Sequence, residues 1–374
     1  MRARDLGISI GLLEPGPLNA ITDVTGVRVG HETLISGEPG PLVVGQGPVR
    51  TGVTVVVPVA GDPFAGAVYA GAHRLNGNGE LTGLEWIREA GLLSGPIGIT
   101  NTHSVGTVRD AIVTAATRST ATAESAWSLP VVGETWDGWL SDVDGQHVRA
   151  EHLDAALASA AGGPVAEGNV GGGTGMICHR FKGGSGTASR RLPGAEGGFT
   201  VGALVQANYG RRERLAIDGV PVGREISVDE VPSDREDAAP SSADADAGSI
   251  IVVLATDAPL LPHQCERLAQ RAGLGVARTG GAGEHSSGDL FIAFATGNQG
   301  LSAEDRTAGR PFTRSVQALD DAWMSPLFWA AIESTEEAIV NALVAAKTMA
   351  GADGHVAHAL PHHRLVEVWR RYRG

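Results

Sequence analysis

Three stretches of this chain are apolar at nearly every position rather than at alternate ones: residues 51–60 (TGVTVVVPVA), 249–254 (SIIVVL) and 289–295 (DLFIAFA). A strand facing water on one side alternates apolar with polar residues, so strands like these need cover on both faces. Residues 197–208 (GGFTVGALVQAN) read as a further strand after a glycine turn. Helical spacing is predicted over 105–118, 152–161, 261–274 and 333–349. In the third of these, Leu261, Cys265 and Leu268 share one side, while Glu266, Arg267, Gln270 and Arg271 face water. In the fourth, Ser334 and Glu337 are spaced as a capping box. Strands and helices intermix without regular alternation and without a repeat. An α/β sandwich with helices outside two sheets would satisfy this, in a single domain spanning 1–374 or in two.

One segment breaks the pattern. Residues 229–248 (DEVPSDREDAAPSSADADAG) carry no aliphatic side chain larger than alanine after Val231. Such a stretch cannot cover a core face and is expected to be an exposed, mobile acidic linker. It contributes to a formal net charge of −13, which argues against nucleic acid or an anionic membrane as partner. No apolar run approaches the roughly 18 residues a membrane span needs. The N-terminal Met-Arg-Ala-Arg is followed by Glu14, Pro15 and Pro17 rather than a signal core, so a soluble, cytoplasmic protein is expected. The two cysteines, Cys178 and Cys265, read as buried thiols, with one disulfide as the alternative. The 53 glycines are about twice the usual share and imply tight turns or close backbone approach.

The linker stops abruptly at Gly248-Ser249, where a core strand begins. An ordinary loop is one reading of that junction. The other is chemical. A serine hydroxyl needs a base to become a nucleophile. Cutting the bond before Ser249 frees an α-amino group beside that hydroxyl, and such an amine ordinarily titrates at roughly 7.7–8.

Around this junction the chain resembles a known family. Residues 168–190 read GNVGGGTGMICHRFKGGSGTASR, and 248–264 read GSIIVVLATDAPLLPHQ. With NGNGELTG at 76–83, GPIGITNTHSVG at 95–106, GETWDG at 133–138, VQANYG at 205–210 and SSGDLFIAFAT at 286–296, they resemble the L-aminopeptidase/D-esterase and β-peptidyl aminopeptidase family. These are self-cleaving hydrolases of the N-terminal-nucleophile kind, and the resemblance runs from about Thr22 to the C-terminus. It implies a four-layer αββα sandwich cut into chains 1–248 and 249–374 that stay associated, with Ser249 as nucleophile. It assigns Ser287 and Asp289 to orienting and activating that serine, and Asn208 to the oxyanion hole. Glu134 and Trp136 would line the pocket for the substrate's free amine. Some relatives carry Glu where this chain has Asp289, and Tyr where it has Trp136.

The residue types fit those roles. An uncharged amide at a strand end donates to a developing oxyanion. Residues two apart in an extended chain point the same way, which suits Ser287 and Asp289. A carboxylate beside an aromatic suits an ammonium with a small side chain. Each also has an ordinary reading as turn or packing chemistry, and Glu284 is an alternative acid. The glycines at 168–175 lack the G-x-x-x-x-G-K-[ST] phosphate-loop pattern, and Lys182 lies too far along to complete it. The histidines at 355, 358, 362 and 363 lack metal-site spacing, so neither metal nor cofactor is expected. The expected partner is a small peptide or amino-amide, bound by a homo-oligomer of undetermined size. The alternatives are an ornithine-acetyltransferase-type acyltransferase, whose nucleophile is threonine, and an uncleaved, non-catalytic binding protein on the same fold.

Overall fold

The structure is a computed structural model that describes residues 1–119, 128–234, 248–298, 300–301 and 312–374. Two sheets stack face to face. The smaller has the order β1 (Arg28–Ser36), β2 (Val49–Val57), β5 (Ile97–Asn101), β6 (Val131–Thr135). The larger has the order β4 (Leu92–Ser94), β3 (Ala67–Gly77), β12 (Gly288–Ala295), β11 (Ser249–Thr256), β10 (Thr200–Asn208), β9 (Gly184–Arg191). Helices α2 (Val105–Ser119) and α3 (Ala150–Ser159) cover the first sheet. Helices α5 (Pro262–Arg278) and α6 (Met324–Ala345) cover the second. The layers are therefore αββα.

The apolar strands are apolar because each face meets a different layer. On β11, Ile250, Val252 and Leu254 pack toward α5 and α6, while Ile251, Val253 and Ala255 pack against the opposing sheet. β12 repeats this, with Phe291 and Ala293 on the helix side and Leu290, Ile292 and Phe294 between the sheets. Full burial of one such side chain stabilises by about 1.5–3 kcal/mol, so these two strands anchor the fold.

Several sequence expectations need correction. Helix α6 begins at Met324, well before residue 333, so Ser334 and Glu337 lie in its interior and form no capping box. The Ser334 hydroxyl donates to the Ala331 carbonyl within the helix. Glu337 instead accepts from Arg4 Nε at 2.8 Å and Arg190 Nη2 at 2.6 Å, a buried ionic cluster that ties the N-terminal arm to α6 and β9. Of the expected mobile linker, 235–247 lies outside the described residues. Residues before it are held: Glu230 pairs with Arg364 and Asp234 accepts from the Val356 amide at 2.9 Å. Both cysteines are free and buried. Among the described residues, no helix is long and apolar enough to cross a membrane.

Candidate active site at the strand ends

Three neighbouring strands of the larger sheet end together. Asn208 closes β10 opposite Ser249, the first residue of β11, and Ser249 pairs in turn with Gly288, the first residue of β12. Gly77, the last residue of β3, completes the row against Gly288. Register thus assembles side chains that are far apart in sequence.

Ser249 is buried. The Gly288 amide donates to its Oγ at 3.2 Å and also to the Gly248 carbonyl at 3.2 Å. One N–H therefore touches both the hydroxyl and the carbonyl it would attack. Glycine is required at 288: a Cβ there would lie 2.4 Å from the Asn78 carbonyl oxygen. Beside it, the Ser287 hydroxyl donates to Asp289 Oδ1 at 2.6 Å. Burial pushes the Asp289 carboxyl up to about 6, opposed by hydrogen bonds from Ser287 and the Ile250 amide.

The Asn208 side chain has a fixed orientation. Its Oδ1 accepts from the Ile177 amide at 2.8 Å, and its Nδ2 donates to the Trp136 carbonyl at 2.9 Å across the gap between sheets. An amide nitrogen has two hydrogens, so one remains for another acceptor.

Glu134 lies near the end of β6 and is buried. The Glu80 amide donates to its Oε1 at 3.0 Å, and the Thr102 hydroxyl donates to Oε2. Both partners are neutral, and among the described residues no arginine or lysine pairs with it. Burial raises its pKa above the usual glutamate value, against the two hydrogen bonds. A Cβ at Gly79 would sit 2.9 Å from Glu134 Oε1 and 3.2 Å from the Gly288 Cα, so the carboxylate and the strand partner of Ser249 flank one glycine. Trp136 is half-buried two positions on, with its ring folded over Gly138. Glu284, the alternative acid, instead accepts from Arg211 Nε at 2.8 Å.

Two cavities open here. One of about 440 Å³ is lined by Gly79, Leu81 and Leu290 together with Arg74, Glu85, Arg88 and Arg109. A broader cleft of about 1670 Å³ runs past Asn78, Arg211, Arg214, His285 and Ser286. Behind the site, Asp137 is pushed up to about 6 by burial and is held by Asn101 Nδ2 at 3.1 Å. Among the described residues, no three histidine, cysteine, aspartate or glutamate side chains cluster as a metal site.

Sequence reasoning misses the Gly288 amide, Thr102, Glu80 and Ile177. Three of these act through backbone N–H groups, which leave no signature in residue identity. Thr102 stands in the GPIGITNTHSVG motif, and a hydroxyl there is the one available signal.

The sequence pattern of Peptidase family S58 matches residues 19–357. The chain belongs to peptidase family S58. It is 49% identical to the beta-peptidyl aminopeptidase of Sphingosinicella microcystinivorans, covering 100% of this chain and 92% of that protein. The corresponding Sphingosinicella xenopeptidilytica enzyme is 44% identical, over 99% and 91%. Among solved structures, the Burkholderia sp. beta-aminopeptidase superposes with a TM-score of 0.89 at 54% identity, covering 100% of this chain and 99% of that one. The Ochrobactrum anthropi L-aminopeptidase D-Ala-esterase/amidase, described as a variant Ntn hydrolase fold, superposes with a TM-score of 0.86 at 45% identity, over 99% and 98%. This S58 chain is thus a hydrolase of the serine aminopeptidase/amidase type with the Ntn-hydrolase fold.

Proposed function

We propose that this S58 chain cuts itself between Gly248 and Ser249, and then removes small N-terminal residues from peptides or amino-amides through an acyl-enzyme on Ser249. The observation that carries the reading is the Gly288 amide, which reaches both Ser249 Oγ and the Gly248 carbonyl at 3.2 Å. In the cut, Oγ adds to the Gly248 carbonyl carbon, the C–N bond breaks, and the Ser249 nitrogen takes the hydroxyl proton. Water then splits the resulting ester into a Gly248 carboxylate and a free Ser249.

In the mature enzyme the new α-amine takes the proton from Oγ as the hydroxyl attacks the substrate. Ser287 keeps its proton and donates it in a hydrogen bond to Asp289, so a lone pair of its oxygen faces the amine as an acceptor, and the Asp289 carboxylate stabilises the charge that develops. Asn208 supplies its remaining Nδ2 hydrogen to the oxyanion. Glu134 binds the substrate ammonium, Trp136 walls that pocket, and the cavity beside Gly79 takes the first side chain. Similarity to a β-aminopeptidase and to an L-aminopeptidase D-Ala-esterase supports a small first residue of α, β or D type. The two chains stay together as one domain in a soluble, cytoplasmic homo-oligomer.

Mass measurement under denaturing conditions tests the cut. Two chains, 1–248 and 249–374, are expected from the native gene, and one inactive chain from Ser249→Ala. A Ser249→Ala protein that still splits at this bond overturns the reading.

A further inference from the structure

Lys182 is fully buried, and no carboxylate forms an ion pair with it among the described residues. Holding a charge away from water without a close counter-ion is unfavourable, so its hydrogen bonds must be well made. Its Nζ instead donates to two carbonyls, Met176 at 2.7 Å and Gly183 at 2.9 Å. Burial pulls its pKa down to about 7, while Cys178 and Asp137 act in the other direction. The nitrogen donates to both carbonyls in either protonation state.

The Met176 carbonyl belongs to the same peptide group as the Ile177 amide, which donates to Asn208 Oδ1. The path is therefore continuous: Lys182 Nζ–H to the Met176 oxygen, across one planar peptide, then Ile177 N–H to the Asn208 amide. The hairpin carrying it is minimal. β7 (Ile177–Cys178) pairs with β8 (Phe181–Lys182) through His179 and Arg180, both at positive φ. Two-residue strands do not hold their own register. Arg212 stacks 3.4 Å from the Phe181 ring on one side, and on the other the Met176 carbonyl accepts from both Lys182 Nζ at 2.7 Å and the Gly183 amide at 2.8 Å.

We infer that Lys182 is a positioning residue for the oxyanion: it locks the Met176–Ile177 peptide so that the Asn208 amide presents its free hydrogen to the reacting carbonyl. A donor on the peptide oxygen also strengthens the N–H at the other end, because linked hydrogen bonds polarise one another. The inference rests on Asn208 as oxyanion donor, and the experiment separates the two claims.

Lys182→Met, Asn208→Ala and the double variant are compared on an aminoacyl nitroanilide, with rates normalised to the cleaved fraction. Asn208→Ala is expected to lower kcat about 10²- to 10³-fold. Lys182→Met is expected to lower kcat about tenfold with KM within about twofold, since the lysine acts through only one oxyanion donor. In the Asn208→Ala background, Lys182→Met should change kcat by less than about twofold. An equal loss in both backgrounds means a general structural role and overturns the inference, as does no loss in either. If Asn208→Ala alone leaves kcat intact, the oxyanion assignment falls first. Where Lys182→Met does not fold, Lys182→Gln supplies the neutral comparison. In the Ser249→Ala precursor, the Asn208 side-chain NH2 resonances, identified by their loss in Asn208→Ala, should move on replacing Lys182. Unmoved resonances also overturn it.

Discussion

Replacing Glu134 with glutamine removes a charge and leaves the hydrogen-bond frame standing. The Glu80 amide can only donate, so the glutamine oxygen must take its place 3.0 Å away. The glutamine nitrogen then faces Thr102, whose hydroxyl rotates to accept instead of donate. No buried group is stranded, and the change in thermal stability should be small. What disappears is the charge proposed to meet a substrate ammonium in a buried pocket. A hydrogen bond involving a charged group contributes about 1.5–3 kcal/mol net. Taking about 2–3 kcal/mol at this site predicts a fall in kcat/KM of roughly 30- to 150-fold on substrates with a free amine. Self-cleavage should be spared, because the Gly248–Ser249 peptide presents no ammonium. The assay is steady-state kinetics on an aminoacyl nitroanilide and its N-acetylated counterpart, with masses checked for maturation. The acetylated compound should be nearly inert with the native enzyme. Unchanged kinetics in Glu134→Gln, or equal turnover of the acetylated substrate, would refute the placement of the amine.

Two other outcomes follow from the same strand ends. The Asp289 pKa is raised to about 6, so ionising it opposes folding: that part of the stability is present below the ordinary aspartate value near 3.9 and is lost as pH rises through about 6. Asp289→Asn should therefore melt higher than the native sequence at pH 8, by about 2–3 kcal/mol at most, with the gap closing at pH 4, while its activity is lost; an equal gap at both pH values would contradict burial of the charge as the cause. Gly288→Ala should accumulate as a single uncut chain, because its Cβ would lie 2.4 Å from the Asn78 carbonyl oxygen and displace the amide from the bond proposed to be cut; normal maturation of a folded Gly288→Ala would count against that amide.

Much of the layered architecture is legible in the sequence: β2, β11 and β12 are apolar on both faces and so need cover on both, and the resemblance narrows that cover to αββα layers. Where reading fails, the cause is long-range pairing. Ser334 and Glu337 look like a helix start because a glutamate three residues after a serine usually lies at a surface end. Here Arg190 and Arg4, remote in sequence, neutralise the glutamate inside the helix. Ser249, Asn208, Ser287, Asp289 and Glu134 stand out by motif, but register within the larger sheet brings the first four together and the stacking of the smaller sheet brings Glu134, and no local pattern records either. Lys182 has no motif of its own beyond a failed phosphate loop, because its partners are two backbone carbonyls.

The order of the larger sheet has a consequence for the life of the molecule. β11 and β12 belong to the segment after the proposed cut, and they lie between β3 and β10, which belong to the segment before it. Before cleavage, assembling this sheet is a unimolecular event whose rate does not depend on protein concentration. After cleavage the middle of the sheet is a separate molecule, and rebuilding it from denatured chains becomes a second-order encounter between two pieces that each expose apolar strands. The proposed maturation would therefore make folding a one-way passage: the cut enzyme would inherit a structure that its own fragments are poorly equipped to regain.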